Sequence, residues 1–251
     1  MSKVKFNLFQ KLKTIGFVSL AMISWVVFAP STSQAILLGP STYLEFADSP
    51  FSSVDFSGGF FHLEDFEDNL FNTPGVSASA GGVTSVVFGP SIHDSVDADD
   101  GTIDGSGLGG DSFFSSSGSA GILFTFDAAV LGALPTHAGL VWTDGEGTTF
   151  FEAFDAANSS LGTIGPVFIA TPGNGGQTDE DRFFGVTDPG GISSIFISNS
   201  SGGIEVDHLQ YGLVSAGPSP APVPEPSTMI LLGTGLIGLV GFNYKRKNQA
   251  A

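Results

Sequence analysis

The densest set of potential metal ligands is Asp97-Ala98-Asp99-Asp100-Gly101-Thr102-Ile103-Asp104-Gly105. Ca2+ takes about six to eight oxygens from carboxylates and backbone carbonyls, and tight glycine turns let several of them face one ion. Read as a calcium loop of about twelve residues starting at Asp100, the run puts Thr102 third, Asp104 fifth, Gly105 sixth and Asp111 twelfth. Thr102 in place of an acid, and Asp111 in place of a bidentate Glu, both depart from that pattern. The plain alternative is an acidic, solvated loop. A second set would join Glu64, Asp65, Glu67 and Asp68 to Glu205 and Asp207 if the strands that carry them pair. Carboxylates gathered that closely repel one another unless a cation sits between them. Ca2+ is therefore the one cofactor these residues suggest, with Asp97, Asp99, Asp100, Asp104, Asp111, Glu64, Asp65 and Asp207 as candidate ligands.

Other spacings carry less. Gly105, Gly107 and Gly110 match a dinucleotide-loop pattern, but no strand pattern leads into them and no helix pattern follows. His62, His93, His137 and His208 include no pair four apart and no His-Glu-x-x-His, which removes the usual zinc spacing. Gly110-Asp111-Ser112 resembles the nucleophile block of a lipase family, yet that chemistry needs an Asp-x-x-His, and Asp207-His208 has the wrong spacing. The enzymatic alternative is a glycan-active site in which two of Glu146, Glu152, Glu64 and Asp207 act as acid and base, about 5–10 Å apart. Trp142, Tyr211 and the many Phe read as core. Arg182 reads as the ion-pair partner of Asp179, Glu180 or Asp181, or of a carboxylate across a sheet.

Strands must position these groups. Apolar segments at 83–88, 121–126, 139–143, 148–154, 164–170, 182–186, 192–197 and 204–211 are rich in β-branched and aromatic residues, and several alternate with period two. Asp144-Gly145, Pro172 to Gly176, Asp188-Pro189-Gly190-Gly191 and Ser201-Gly202-Gly203 supply turn chemistry between them. The expectation is an all-β body over 36–216, a jelly-roll-like β-sandwich. Residues 95–121, nearly all Asp, Gly and Ser around Phe113 and Phe114, read as a long loop on that scaffold.

The two ends read as addresses. Residues 1–35 combine a lysine-bearing start, an apolar run of roughly 14 residues and a small-residue exit at Ser33, Gln34 and Ala35, the order of a secretory signal peptide cleaved after Ala35. At the other end a Pro-rich linker, 217–223, leads into Val223, Pro224, Glu225, Pro226, Ser227 and Thr228. An uncharged, Gly-punctuated apolar stretch at 229–242 reads as a transmembrane helix, and Lys245, Arg246 and Lys247 form the basic stop behind it. Cations beside an apolar helix stay on the cytoplasmic side, so the body is outside and the last charges inside.

Val-Pro-Glu-Pro-Ser-Thr, an apolar helix and a basic cluster, in that order over 224–247, resemble the PEP-CTERM sorting signal of exported bacterial proteins. The resemblance places the family's Pro-Glu-Pro on Pro224, Glu225 and Pro226. It implies the secretion machinery, signal peptidase and an exosortase-type membrane enzyme as partners. It also implies anchoring through the C-terminal helix and delivery to the cell surface or an extracellular polysaccharide matrix. The segment from Arg182 to Gly212 is similar to the closing strands of uncharacterised β domains in other proteins of this kind, which supports a β-sandwich and implies no activity.

Charge agrees with these addresses. Of the eight Lys and Arg among 251 residues, only Arg182 lies between 36 and 223, against 24 acids there, a net charge of −23. A body with one cation cannot neutralise a phosphate backbone, which excludes nucleic acid and anionic membrane surfaces as its partners. With no cysteine, no disulfide staples it, and 24 Phe argue for a folded core. The functional expectation is a non-enzymatic, exported surface or matrix protein associated with calcium and polysaccharide.

Overall fold

The computed structural model describes residues 34–88, 94–169, 176–215 and 233–237. The chain divides after Gln34 into two units, and every described strand belongs to the second. Residues 1–33 of the expected signal peptide, Ser33 included, lie outside the described residues, while Gln34 and Ala35 are described; the linker, the motif at Val223 to Thr228 and Lys245, Arg246 and Lys247 also lie outside them. Of the expected span, 233–237 is described and helical, and no described helix is long and apolar enough to cross a membrane.

The body is built from β1 (Ile36–Thr42), β2 (Phe60–Glu64), β3 (Val76–Ala78), β4 (Gly82–Val83), β5 (Phe113–Ser115), β6 (Ile122–Phe126), β7 (His137–Asp155), β8 (Ser160–Phe168), β9 (Arg182–Thr187) and β10 (Ile192–Leu213). Two short helices, α1 (Thr84–Phe88) and α2 (Ala128–Leu131), interrupt them. The all-β expectation holds. Where the strand count suggests a sandwich of two sheets, hydrogen bonding joins all ten strands into one sheet.

β7 and β10 are its spine. They pair antiparallel along their whole length, with register irregularities where Asp144 to Glu146 meets Ser201 to Glu205. Asp144-Gly145 and Ser201-Gly202-Gly203, which read as turns, are therefore interruptions inside continuous strands. On one side of this break the spine carries β9, β1, β2, β5 and β4, and on the other it carries β8, β6 and β3. The two halves pack face to face: Phe151 stacks on Phe184 with ring centroids 6.0 Å apart, Phe126 meets Tyr211 at 5.0 Å and Phe124 meets Phe113 at 5.8 Å. Ile122, Leu140, Trp142, Val186, Ile195 and Val206 fill the same core. At the break Asn199 is buried; Trp142 Nε1 donates to its Oδ1 (3.0 Å), and its Nδ2 donates to the Gly203 carbonyl (3.0 Å).

β1 and β8 contain Gly39-Pro40 and Gly165-Pro166, and both strands lie at sheet edges, β1 paired to β9 and β8 to β7, where proline is tolerated. Residues 83–88 read as a strand, but the chain turns helical at Thr84. The Asp111 carboxylate accepts from Thr84 Oγ1 (3.0 Å) and the Ser85 amide (2.9 Å) there, a side-chain cap delivered from 27 residues away.

The outer face of the spine is not a solvated face. In β10, Ile204, Val206, Leu209 and Tyr211 enter the main core, while Glu205, Asp207, His208 and Gln210 point the other way and are buried too. A second apolar cluster of Tyr43, Phe51, Val96, Val141 and Phe183 covers this side, carried partly by 43–56 and by the Asp/Gly/Ser stretch after residue 94. That stretch, which reads as an extended loop, is a lid with Asp94, Ser95, Val96 and Asp97 all buried.

Candidate metal centre

Two sets of ligand-bearing side chains converge among the described residues: Asp99 with Asp207 and His208, and Asp94 with Asp144 and Glu180, each set offering atoms within 4.8 Å of one another. Both lie between the spine and its lid, and strand irregularities build both.

The first set is a bulge product. Asp207 faces Val141 and Gln210 faces Gly139, so β10 carries one extra residue there. His208 takes a positive φ of 42° at this point, and Asp207 and His208 both turn to the outer side. Their atoms are largely committed. Asp207 Oδ2 accepts from the Val96 amide (2.9 Å), and Oδ1 accepts from the His208 amide (2.6 Å). Gln210 Nε2 donates to the Tyr43 hydroxyl (3.0 Å), so that hydroxyl gives its own proton to His208 Nδ1, 2.7 Å away. His208 then carries its proton on Nε2 and donates to Asp99 (3.1 Å). Burial, then the Asp99 carboxylate, push the Asp207 carboxyl well above its ordinary range. The result is a closed polar relay, and a metal would have to break it.

The second set is open. Val206 faces Trp142 while Glu205 faces Asp144, so Thr143 is the extra residue in β7 and Asp144 stands directly opposite Glu205. Asp94 reaches this pair from the lid, and Glu180 and Asp181 from the segment leading into β9. Asp94, Glu180 and Asp181 are 2%, 2% and 0% exposed, and among the described residues both carboxylate oxygens of each lack a hydrogen-bond partner. Asp144 Oδ1 accepts from the Gly145 amide (2.6 Å), and Glu205 Oε1 accepts from Ser112 Oγ (3.0 Å).

The electrostatics follow from burial with little counter-charge, Arg182 lowering the Asp181 carboxyl by less than burial and its acid neighbours raise it. Burial, then the neighbouring Glu205, Asp144 and Glu180, push Asp94 up to about 9. Burial, then Asp94 and Glu180, push Asp181 up to about 10. Glu180 rises to about 8 through burial and the adjacent Asp179, and Glu205 to about 7 through burial. Arg182 is the one Lys or Arg of the described residues, and its Nη1 donates to the backbone carbonyls of Asp179 (2.9 Å) and Asp181 (2.8 Å). The pairing expected of it with an acid is thus made to carbonyls.

The expected ligands are distributed otherwise. Glu64 accepts from the amides of Phe66, Asn72 and Thr73 and shapes the turn after β2. β2 does pair with the last strand, but Glu64 faces Leu209 rather than Glu205 or Asp207. Asp65 accepts from the Glu67 amide (3.3 Å). Asp97 accepts from the Asp104 and Gly105 amides and from Thr178 Oγ1. Burial alone would raise its carboxyl, but these donors outweigh it and hold the group below its ordinary value. Asp100 and Asp104 are exposed, and Asp111 caps α1. No three of Asp97, Asp99, Asp100, Asp104 and Asp111 converge among the described residues; Asp99 and Asp207 do, with His208. Asp94, Asp144 and Glu180 escape sequence reasoning because they lie far from one another along the chain. The signal available is the surplus of acids in a body with one cation.

A family model for the PEP-CTERM protein-sorting motif matches residues 222–247. The chain carries that motif, which implies export, processing by the membrane enzyme exosortase and sorting to the cell surface. No curated protein and no solved structure matches the chain.

Proposed function

We propose that this chain is a non-enzymatic surface or extracellular-matrix protein. Signal peptidase removes 1–35, exosortase processes the C-terminal helix, and the acidic β body associates with Ca2+ and extracellular polysaccharide. The match to the sorting motif at 222–247 carries the reading. β1 begins at Ile36, directly after the expected cleavage at Ala35, so processing there spares every strand of the body. The jelly-roll reading of the body rests on its self-packed, all-antiparallel sheet.

The non-enzymatic reading draws on where the candidate acids sit. Glu64 and Asp207 are engaged by backbone amides. Glu146 and Glu152 lie six residues apart in β7, about 20 Å at ~3.3 Å per residue, beyond the roughly 10 Å that a glycan-cleaving pair spans.

The test is localisation. In a host that contains exosortase, the native chain is expected at the surface or in the medium, and a variant with Pro224, Glu225 and Pro226 all changed to Ala is expected to remain in the inner membrane. Equal surface delivery of both would overturn the reading.

A further inference from the structure

Asp94, Glu180 and Asp181 are cut off from water and, among the described residues, have gained no hydrogen-bond donor, so they need another source of stabilisation. An unpaired buried charge costs several kcal/mol, and such groups are found paired, protonated or on a metal. Here the one nearby guanidinium donates to carbonyls, and no other Lys or Arg is present among the described residues. Oxygens of Asp94, Asp144 and Glu180 nevertheless lie within 4.8 Å of one another, the spread that ligands at about 2.4 Å on one ion can reach.

We propose that Asp94, Asp144 and Glu180, flanked by Asp181 and Glu205, hold a single Ca2+ ion between the spine of the sheet and its lid. The proposal rests on the calcium association proposed for the body and names its site. The donors are all oxygen, which suits a hard cation. The carboxylates can supply most of the six to eight oxygens that Ca2+ takes, whereas Mg2+ demands a tighter octahedron and gives up its waters reluctantly. The ion ties together four stretches distant in sequence: the lid at Asp94, β7 at Asp144, the segment entering β9 at Glu180 and Asp181, and β10 at Glu205. It is a structural clamp, holding the lid on the outer face. The Asp99, Asp207 and His208 set is excluded as its seat because Asp207 already accepts from two amides and both His208 ring nitrogens are engaged, by Tyr43 and Asp99.

The test is calcium titration of the full-length chain, purified in detergent and stripped with chelator, read by calorimetry and thermal melting. The native chain is expected to bind one Ca2+ and melt several degrees higher with it, and a tenfold excess of Mg2+ should not displace it. Asp94→Asn and Glu180→Gln should each weaken binding tenfold or more, and the exposed Asp104→Asn should leave it unchanged. Both substitutions put a neutral amide where burial disfavours an ionised carboxylate, so the variants should fold in chelator, as near-ultraviolet circular dichroism would show. If either does not, Glu205→Gln takes its place with the same expectation. Native-level binding by Asp94→Asn and Glu180→Gln, or loss of binding in Asp104→Asn, would overturn this site while leaving the calcium reading standing. Absence of any calcium heat or melting shift in the native chain would overturn both, and surface localisation would still report on sorting separately.

Discussion

Asp144 and Glu205 stand opposite each other on adjacent strands, two acids at a cross-strand position where opposite charges would be favoured. The pairing exists because β7 carries one extra residue at Thr143, which turns Asp144 to the covered outer face. Like charges directly opposite in a sheet cost about 0.2–1 kcal/mol, more when screened from water. Asp144→Asn is therefore expected to raise the melting temperature of the chelator-treated chain by about 1–4 °C, given roughly 2–4 °C per kcal/mol at this size. The same variant should lose much of the calcium-induced rise. A variant less stable than the native chain without metal would show that Asp144 is held by donors rather than repelled by neighbours.

The raised carboxyls set a pH dependence of definite sign. Asp94, Glu180 and Asp181 titrate at about 9, 8 and 10 in the folded body, against ordinary values of 3.8, 4.5 and 3.8. The folded state binds these protons more tightly than the unfolded chain does. The resulting stability is complete below about pH 4 and is lost as pH rises through the folded values. With chelator, the melting temperature should fall between about pH 5 and pH 8, and saturating Ca2+ should flatten the fall. A melting temperature that climbed through this window without metal would contradict the burial of these groups.

Tyr43→Phe separates the relay from the open cluster. It leaves Gln210 Nε2 and His208 Nδ1 buried without their partner, at a cost of about 1–3 kcal/mol. The expected outcome in denaturant titration is a lower midpoint at unchanged slope, with calcium affinity as in the native chain. Equal loss of calcium affinity would place an ion on His208 instead.

Asn199→Ala tests the break in the spine. Trp142 Nε1 loses its buried acceptor and the Gly203 carbonyl its donor. In the native chain Gly145 leaves the room this amide needs, since a Cβ there would lie 1.6 Å from Asn199 Nδ2. The expected loss is about 1–3 kcal/mol, with near-ultraviolet signal from Trp142 broadened or reduced. An unchanged midpoint would mean that the bend is held by the aromatic contacts alone.

Much of the fold is legible as local pattern. Alternation at Ile122, Phe124 and Phe126 marks β6 because one of its faces is core and the other, with Leu123 and Thr125, is less buried. Asp188-Pro189-Gly190-Gly191 is a turn as its residues demand, with the Gly191 amide donating to the Asp188 carbonyl (3.1 Å). The pattern fails where tertiary contacts override it: at Thr84, where a distant carboxylate caps a helix, and at Asp144-Gly145 and Ser201-Gly202-Gly203, where the partner strand carries the chain through residues that alone would turn. The candidate site is less legible. Acid clusters along the chain, such as Asp97 to Asp104, are mostly occupied with their own backbone amides, because groups adjacent in sequence reach one another's N–H first.

The sequence by itself determined the sorting motif with Pro224, Glu225 and Pro226 and the export it implies, the β character of the body and its excess of acid over base. Each depends on composition or on spacing within a few tens of residues. Only the tertiary structure decided that one sheet folds onto itself, that a lid makes its outer face a second interior, and that Asp94, Asp144 and Glu180 meet there. The reason is physical: two single-residue bulges reset which side chains face outward, and burial by a distant segment then turns ordinary surface acids into unpaired ones.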